Sequence, residues 1–176
     1  EIIENKPKTR VIYQENQRLP KTRNNGIREA KGKYICCLDA DDMLEPTYLE
    51  MCVLKMEVEM LDQCTTWFKE FGDSDQLFQT HQLTLQEIVN VNLQHVASVF
   101  TKEIWEKSGG YCEPMEVQGY EDWEFCIKIA KLGGRAGLIT EPLFLYRKHG
   151  KSMINDAKEK HTLLFNKIKE LHPELY

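Results

Sequence analysis

No hydrophobic run in this chain of 176 residues approaches the length of a membrane span, and its first residues are polar rather than signal-like. The sequence therefore reads as a soluble, cytoplasmic protein, whose one conceivable membrane association is peripheral docking to the inner face. A basic excess is also missing. Lys and Arg number 23 against 28 Asp and Glu, a formal charge of −5 with both signs interspersed. That leaves no electrostatic footprint for nucleic acid and no attraction to anionic lipid. The six cysteines lack any C-x-x-C spacing and mostly sit in apolar stretches, which suits buried free thiols in a reducing compartment. There is no repeat and no low-complexity tract. The length is one domain's worth, enough to bury a core, and 1–176 is taken as a single domain.

What is there centres on Gly32-Lys-Tyr-Ile-Cys-Cys-Leu-Asp-Ala-Asp-Asp42. Tyr34 to Leu38 is too short and too apolar for an amphipathic helix, and between Gly32 and Pro46 it reads as a buried strand ending in three acids. Alternate side chains of a pleated strand share a face, so Asp39 and Asp41 are expected to point the same way with the small Ala40 between them. Two crowded carboxylates suit a hard divalent cation, Mg²⁺ or Mn²⁺, arriving with substrate phosphates. The plainer alternative is that Asp42, with Glu45, Pro46 and Thr47, caps the next helix. A calcium loop starting at Asp39 finds Glu50 at its twelfth position but Leu44 where glycine is needed, and is rejected.

The stretch Thr22-Arg-Asn-Asn-Gly-Ile-Arg-Glu-Ala-Lys-Gly-Lys-Tyr-Ile-Cys-Cys-Leu-Asp-Ala-Asp-Asp42 resembles the middle of a family-2 glycosyltransferase, where an Arg-Asn helix leads into the strand bearing Asp-x-Asp. Two later segments stand in the order this family has. In Gly119-Tyr-Glu-Asp-Trp-Glu-Phe125 the glycine breaks the chain, and a helix follows with Phe125, Ile129 and Leu132 on one face. Glu121 and Asp122 then sit in its first turn, where acids are favoured by the exposed N–H groups alone. In Leu145-Tyr-Arg-Lys-His-Gly-Lys-Ser-Met153, Arg147, His149 and Ser152 offer a cation, an imidazole and a hydroxyl on a Gly-containing turn.

The resemblance implies an α/β GT-A type nucleotide-diphospho-sugar transferase fold, a Rossmann-like mixed sheet flanked by helices. It also implies a first strand–helix–strand unit that this chain lacks, so the fold is expected to be N-terminally incomplete. By the same resemblance, Arg23 approaches the diphosphate with Asn24 beside it, Asp39 meets the ribose or shares the metal, and Ala40 lies against the substrate. Asp41 holds Mn²⁺ or Mg²⁺ with His149, while Arg147 and Ser152 take phosphate. Asp122 is the general base, Glu121 binds or orients the acceptor, and Trp123 walls the site or packs a sugar face.

Periodicity and turn residues fill in the rest. A strand is expected at Arg10 to Gln14, a short helix from Lys21 to Lys31, and a helix from Pro46 to about Leu61. A strand at Cys64 to Phe68 precedes a polar loop over Glu70 to Gln82. Thr84 with Glu87 reads as a capping box, followed by a strand at Val96 to Phe100 and a helix that Gly109-Gly110 stops. A strand at Pro142 to Tyr146 and a packing helix over about 155–172 close the chain.

The expected reaction moves a sugar from a nucleoside diphosphate, UDP in the first instance, to a hydroxyl of a glycan, polyol or lipid-linked acceptor, metal-dependent and with inversion. Its setting is polysaccharide or cell-envelope synthesis. Two rivals stand beside it. One is a truncated, non-catalytic fragment with residual binding and self-association through unpaired strand edges at Val11–Tyr13 and Tyr34–Leu38. The other is a phosphatase of the haloacid dehalogenase type, against which Met43 fills the position that needs threonine.

Overall fold

The structure is a computed structural model that describes residues 7–113, 119–150 and 159–176. Helix α1 (Leu19–Glu29) starts two residues earlier than its sequence suggests, because Pro20 suits a first helical turn, where no N–H is needed. It buries Pro20, Arg23, Asn24 and Ile27, a helical stripe that is half polar. Strand β1 (Tyr34–Cys36) and the short β2 (Met43–Leu44) flank the acidic segment, and α2 (Tyr48–Glu59) follows. Then come β3 (Gln63–Gly72), β4 (Leu77–Phe78), α3 (Leu85–Ile88), β5 (Val99–Thr101) and α4 (Lys102–Ser108). Helix α5 (Glu121–Lys131), the long β6 (Ala136–Lys148), α6 (His161–Leu171) and a 3₁₀ turn (Pro173–Leu175) complete the order.

The sheet runs β1-β5-β3-β6-β2, with β4 paired to β3. Only β3 and β6 are parallel. Alternation along β1 and β5 divides the core between the two faces. Val99 and Cys36 turn towards α2, where Tyr48, Cys52 and Met56 lie one turn apart against Leu143 and Phe144. Ile35 and Phe100 turn the other way, towards Ile27 of α1, Ile104 and Trp105 of α4, and Phe125 and Ile129 of α5. Enclosing a side chain such as Met56 contributes about 1.5–3 kcal/mol. A third cluster ties α3, α5 and α6 together through Ile88, Trp123, Ile127 and Ile168. This is the mixed α/β sheet with flanking helices that the resemblance implied.

Several elements differ from expectation. Arg10 to Gln14 forms no strand: its residues lie exposed along α1, where Arg10 donates to the Glu29 carbonyl and pairs with its carboxylate. A β-rich run makes a strand only where a ladder partner exists. The expected loop after Phe68 is instead the far end of β3, because β6 runs beside it through Gly72↔Lys148 and β4 folds back to stack Phe78 on Phe68. Gly72 has φ 96°, and a Cβ there would meet the Lys148 carbonyl at 2.5 Å, so glycine is required at this crossing. The capping box at Thr84 and Glu87 is formed. All six cysteines are free. The expected start of the last helix lies outside the described residues, and α6 is seen from His161.

Among the described residues β1 has a neighbour on one side only, and a groove of about 490 Å³ separates its other edge from α1.

Candidate active site

The two acids expected to share a face do not. Strand β1 ends at Cys36, so pleat alternation no longer governs Asp39 and Asp41, and each acid has a different partner. Asp39 accepts from Arg23 Nη2 at 2.9 Å. Asp41 Oδ2 lies 3.1 Å from His149 Nε2, and an ionised carboxylate can only accept, so that nitrogen carries the proton. Ala40 is exposed at the turn between them.

Arg23 does not project towards solvent or an incoming phosphate. Its side chain is 7% exposed, and its other arm, Nη1, donates to Glu121 Oε1 at 2.9 Å. The guanidinium carbon lies 5.7 Å from the centroid of the Tyr111 ring. Its pKa is raised further by Tyr111, Glu121 and Asp39 despite burial, so it stays charged at any working pH. Asn24 is likewise occupied and unavailable to substrate. It is 1% exposed, donates to the Tyr111 carbonyl and Glu113, and accepts from the Trp105 indole and the Tyr111 N–H. This side chain bolts the turn after α4 to α1. Gly110 lies so close that a Cβ would meet Asn24 Oδ1 at 2.7 Å.

At the head of α5, Glu121 is 4% exposed, and its second oxygen accepts from the Gly119 N–H at 2.8 Å. Both carboxylate oxygens are engaged by protein donors. Asp122 is half-buried, with Oδ1 accepting from the Trp123 N–H. Its carboxyl is pushed up to about 7, first by burial and then by the neighbouring charge of Glu121, with Arg23 pulling the other way. Trp123 is not a wall of the site. It is 3% exposed, donates its indole N–H to the Ile88 carbonyl, and stacks on Phe165 in the third core cluster.

The end of β6 closes over the acidic segment. The Arg147 N–H donates to Asp42 Oδ1, and Arg147 Nε donates to the Asp41 carbonyl, both at 2.8 Å. The Arg147 guanidinium lies 4.4 Å from the Phe71 ring centroid, exposed. Gly150 N donates to Asp73. Ser152 lies outside the described residues. Asp42 does not cap α2, whose N-cap is Thr47. It is buried, with Oδ2 unpartnered among the described residues, and burial pushes its pKa up to about 6.

Among the described residues no three His, Cys, Asp or Glu side chains are grouped to hold a metal ion. Asp41 and His149, 49% and 54% exposed, form a two-ligand pair. Such a pair fits a Mg²⁺ or Mn²⁺ ion that takes its remaining ligands from diphosphate and water. His149 would surrender the proton that it now shares with Asp41.

The family model for glycosyl transferase family 2 matches residues 1–112. The chain belongs to that family. The glycosyltransferase-named protein EpsH of Bacillus subtilis is 26% identical over 172 residues, covering 86% of this chain and 48% of EpsH. Chondroitin synthase of Escherichia coli is 24% identical over 134 residues, covering 73% of this chain and 19% of the synthase. Among solved structures, residues 1–349 of S. aureus TarS in complex with UDP-GlcNAc superpose with a TM-score of 0.63 at 17% identity, covering 83% of this chain and 45% of that TarS chain. At that identity the likeness shows the fold. The chain spans about half the length of EpsH and less of the synthase. Membership of this family disposes of the haloacid dehalogenase alternative.

In this family-2 chain, sequence reasoning missed two residues that shape the site. Tyr111, the fully buried platform under Arg23, was hidden in an irregular stretch with no periodicity. Asp42 stands in the sequence only as a candidate helix cap, and its place directly after Asp-x-Asp is the available signal for its contact with the end of β6.

Proposed function

We propose that the protein containing this chain transfers a sugar from a UDP-sugar to a hydroxyl of a glycan, polyol or lipid-linked acceptor, with a divalent ion and with inversion. One observation carries this reading. Arg23 joins the acids that follow β1 to the acids that begin α5, separations of 16 and 98 residues in sequence, so that two weak motifs form a single site. The UDP and UDP-GlcNAc complexes of TarS support the choice of donor.

Asp41 and His149 hold the metal, Mn²⁺ or Mg²⁺, which when bound offsets the negative charge of the diphosphate. Arg147, whose terminal N–H groups have no partner among the described residues, faces the same phosphates together with Ser152. Asp39, 40% exposed in its side chain, accepts from the ribose. Asp122 removes the proton from the acceptor hydroxyl as its oxygen forms the new bond at the anomeric carbon and the bond to UDP breaks on the opposite face. A carboxyl held near 7 is matched to that task at neutral pH. Among the described residues no helix is long and apolar enough to cross a membrane, and we place the reaction in the cytoplasm, at the inner face of the membrane where the acceptor is lipid-linked. The open edge of β1 favours self-association of the isolated chain, which sedimentation would register as dimer or larger.

The test is product analysis. Incubated with Mn²⁺ and a panel of UDP-sugars and glycan acceptors, the full-length protein yields UDP and a product of inverted anomeric configuration, read by NMR. Release of UDP that depends neither on metal nor on Asp122 would overturn the reading.

A further inference from the structure

Resting on the transferase reading, we propose that Arg23 is a positioning residue that couples occupancy of the donor side to the geometry of the acceptor side. The guanidinium is a rigid plane of donors, and here its two arms go to different carboxylates on different elements: Nη2 to Asp39 after β1, and Nη1 to Glu121 in α5. Its place is confined, so a change at one carboxylate is felt as a change in its interaction with the other. Tyr111 lies beneath it, the side chain is 7% exposed, and the adjacent Asn24 fixes α1 to the turn that carries Tyr111. Glu121 is just as constrained, with its other oxygen on Gly119 N. Asp39 differs, since its side chain is 40% exposed and open to a ligand.

One cation thus serves two anions, one of them able to receive donor and the other adjacent to Asp122. When ribose hydroxyls engage Asp39, its hold on Arg23 weakens and the guanidinium leans more strongly on Glu121, tightening the start of α5. By reciprocity, neutralising Glu121 leaves Arg23 wholly to Asp39 and makes that carboxylate less available to the donor.

The experiment is calorimetric titration of UDP with Mn²⁺ into the full-length protein and its variants. Glu121→Gln, a change outside the donor side, weakens UDP binding about tenfold. In the Arg23→Gln background the same change alters UDP affinity by less than about twofold. If Arg23→Gln does not fold, Arg23→Lys replaces it, because an ammonium lacks the fork that serves both acids and the coupling falls there too. UDP affinity in Glu121→Gln within about twofold of wild type would overturn the proposal. So would an equal loss with and without Arg23. Wild-type protein that binds no UDP would overturn the donor reading and the coupling together, whereas binding without coupling overturns the coupling alone.

Discussion

The two halves of the candidate site are built differently. Around Arg23 most groups are closed: Arg23, Asn24 and Glu121 are buried and hydrogen-bonded to protein, and of this cluster Asp39 keeps an exposed face. Around Asp41, about half of the carboxylate side chain and of the imidazole side chain is exposed, Arg147 rests exposed on Phe71, and the end of β6 is held to the acidic segment by bonds from the Arg147 N–H to Asp42 and from Arg147 Nε to the Asp41 carbonyl. A buried ion pair that loses one partner leaves an uncompensated charge, while an exposed pair contributes little. The closed half is therefore framework, and the open half consists of solvent-accessible groups on which the proposed donor and metal contacts depend.

That contrast can be broken at several points, the largest effect first. Asp122→Asn, beside Glu121 at the head of α5, lowers kcat about 10²–10⁴-fold with donor KM nearly unchanged, and kinetics that raised KM at constant kcat would reduce Asp122 to a helix-end acid. Because its folded pKa is about 7 against an ordinary 3.8, wild-type kcat/KM climbs through pH 7 as the base ionises, and this limb disappears in the variant. The same shift works against stability. Folded Asp122 keeps its proton where the unfolded chain has lost it, so its stabilising contribution, full below pH 3.8, is lost as pH rises to about 7. Denaturant titrations across that window should show the decline, flattened in Asp122→Asn.

In the closed half, Arg23→Ala costs about 3–5 kcal/mol of stability by stranding Glu121, and Asn24→Ala about 1–3 kcal/mol by orphaning the Tyr111 and Trp105 donors. In the open half, His149→Ala changes stability by less than about 1 kcal/mol. A destabilisation by His149→Ala as large as that by Arg23→Ala would erase the distinction between the halves.

The sequence showed which residues matter more clearly than how they act. The Thr84 capping box, the place of β1 and the Phe125–Ile129 face of α5 were legible because each is written in local periodicity or spacing, whereas Leu132, expected on that face, lies past the helix end and is exposed. The family resemblance names Asp41 and His149 together, and the two side chains lie 3.1 Å apart. The roles of Arg23, Asn24 and Trp123 were not legible, since a polar side chain on a helix reads the same whether it faces solvent or is buried against an acid 98 residues away. Nor could the 10–14 run be distinguished from a strand, because pairing is a tertiary property. The length of β3 escaped for the same reason: its last turns of the pleat exist only because β6 lies beside them.

The most direct test of the account is metal-dependent UDP binding at the open half. Calorimetric titration of UDP into the full-length protein, with and without Mn²⁺, should show an affinity gain from the metal that Asp41→Asn abolishes while the unfolding midpoint stays at the wild-type value. Undiminished metal-dependent binding in Asp41→Asn, or its loss only together with the fold, would contradict it.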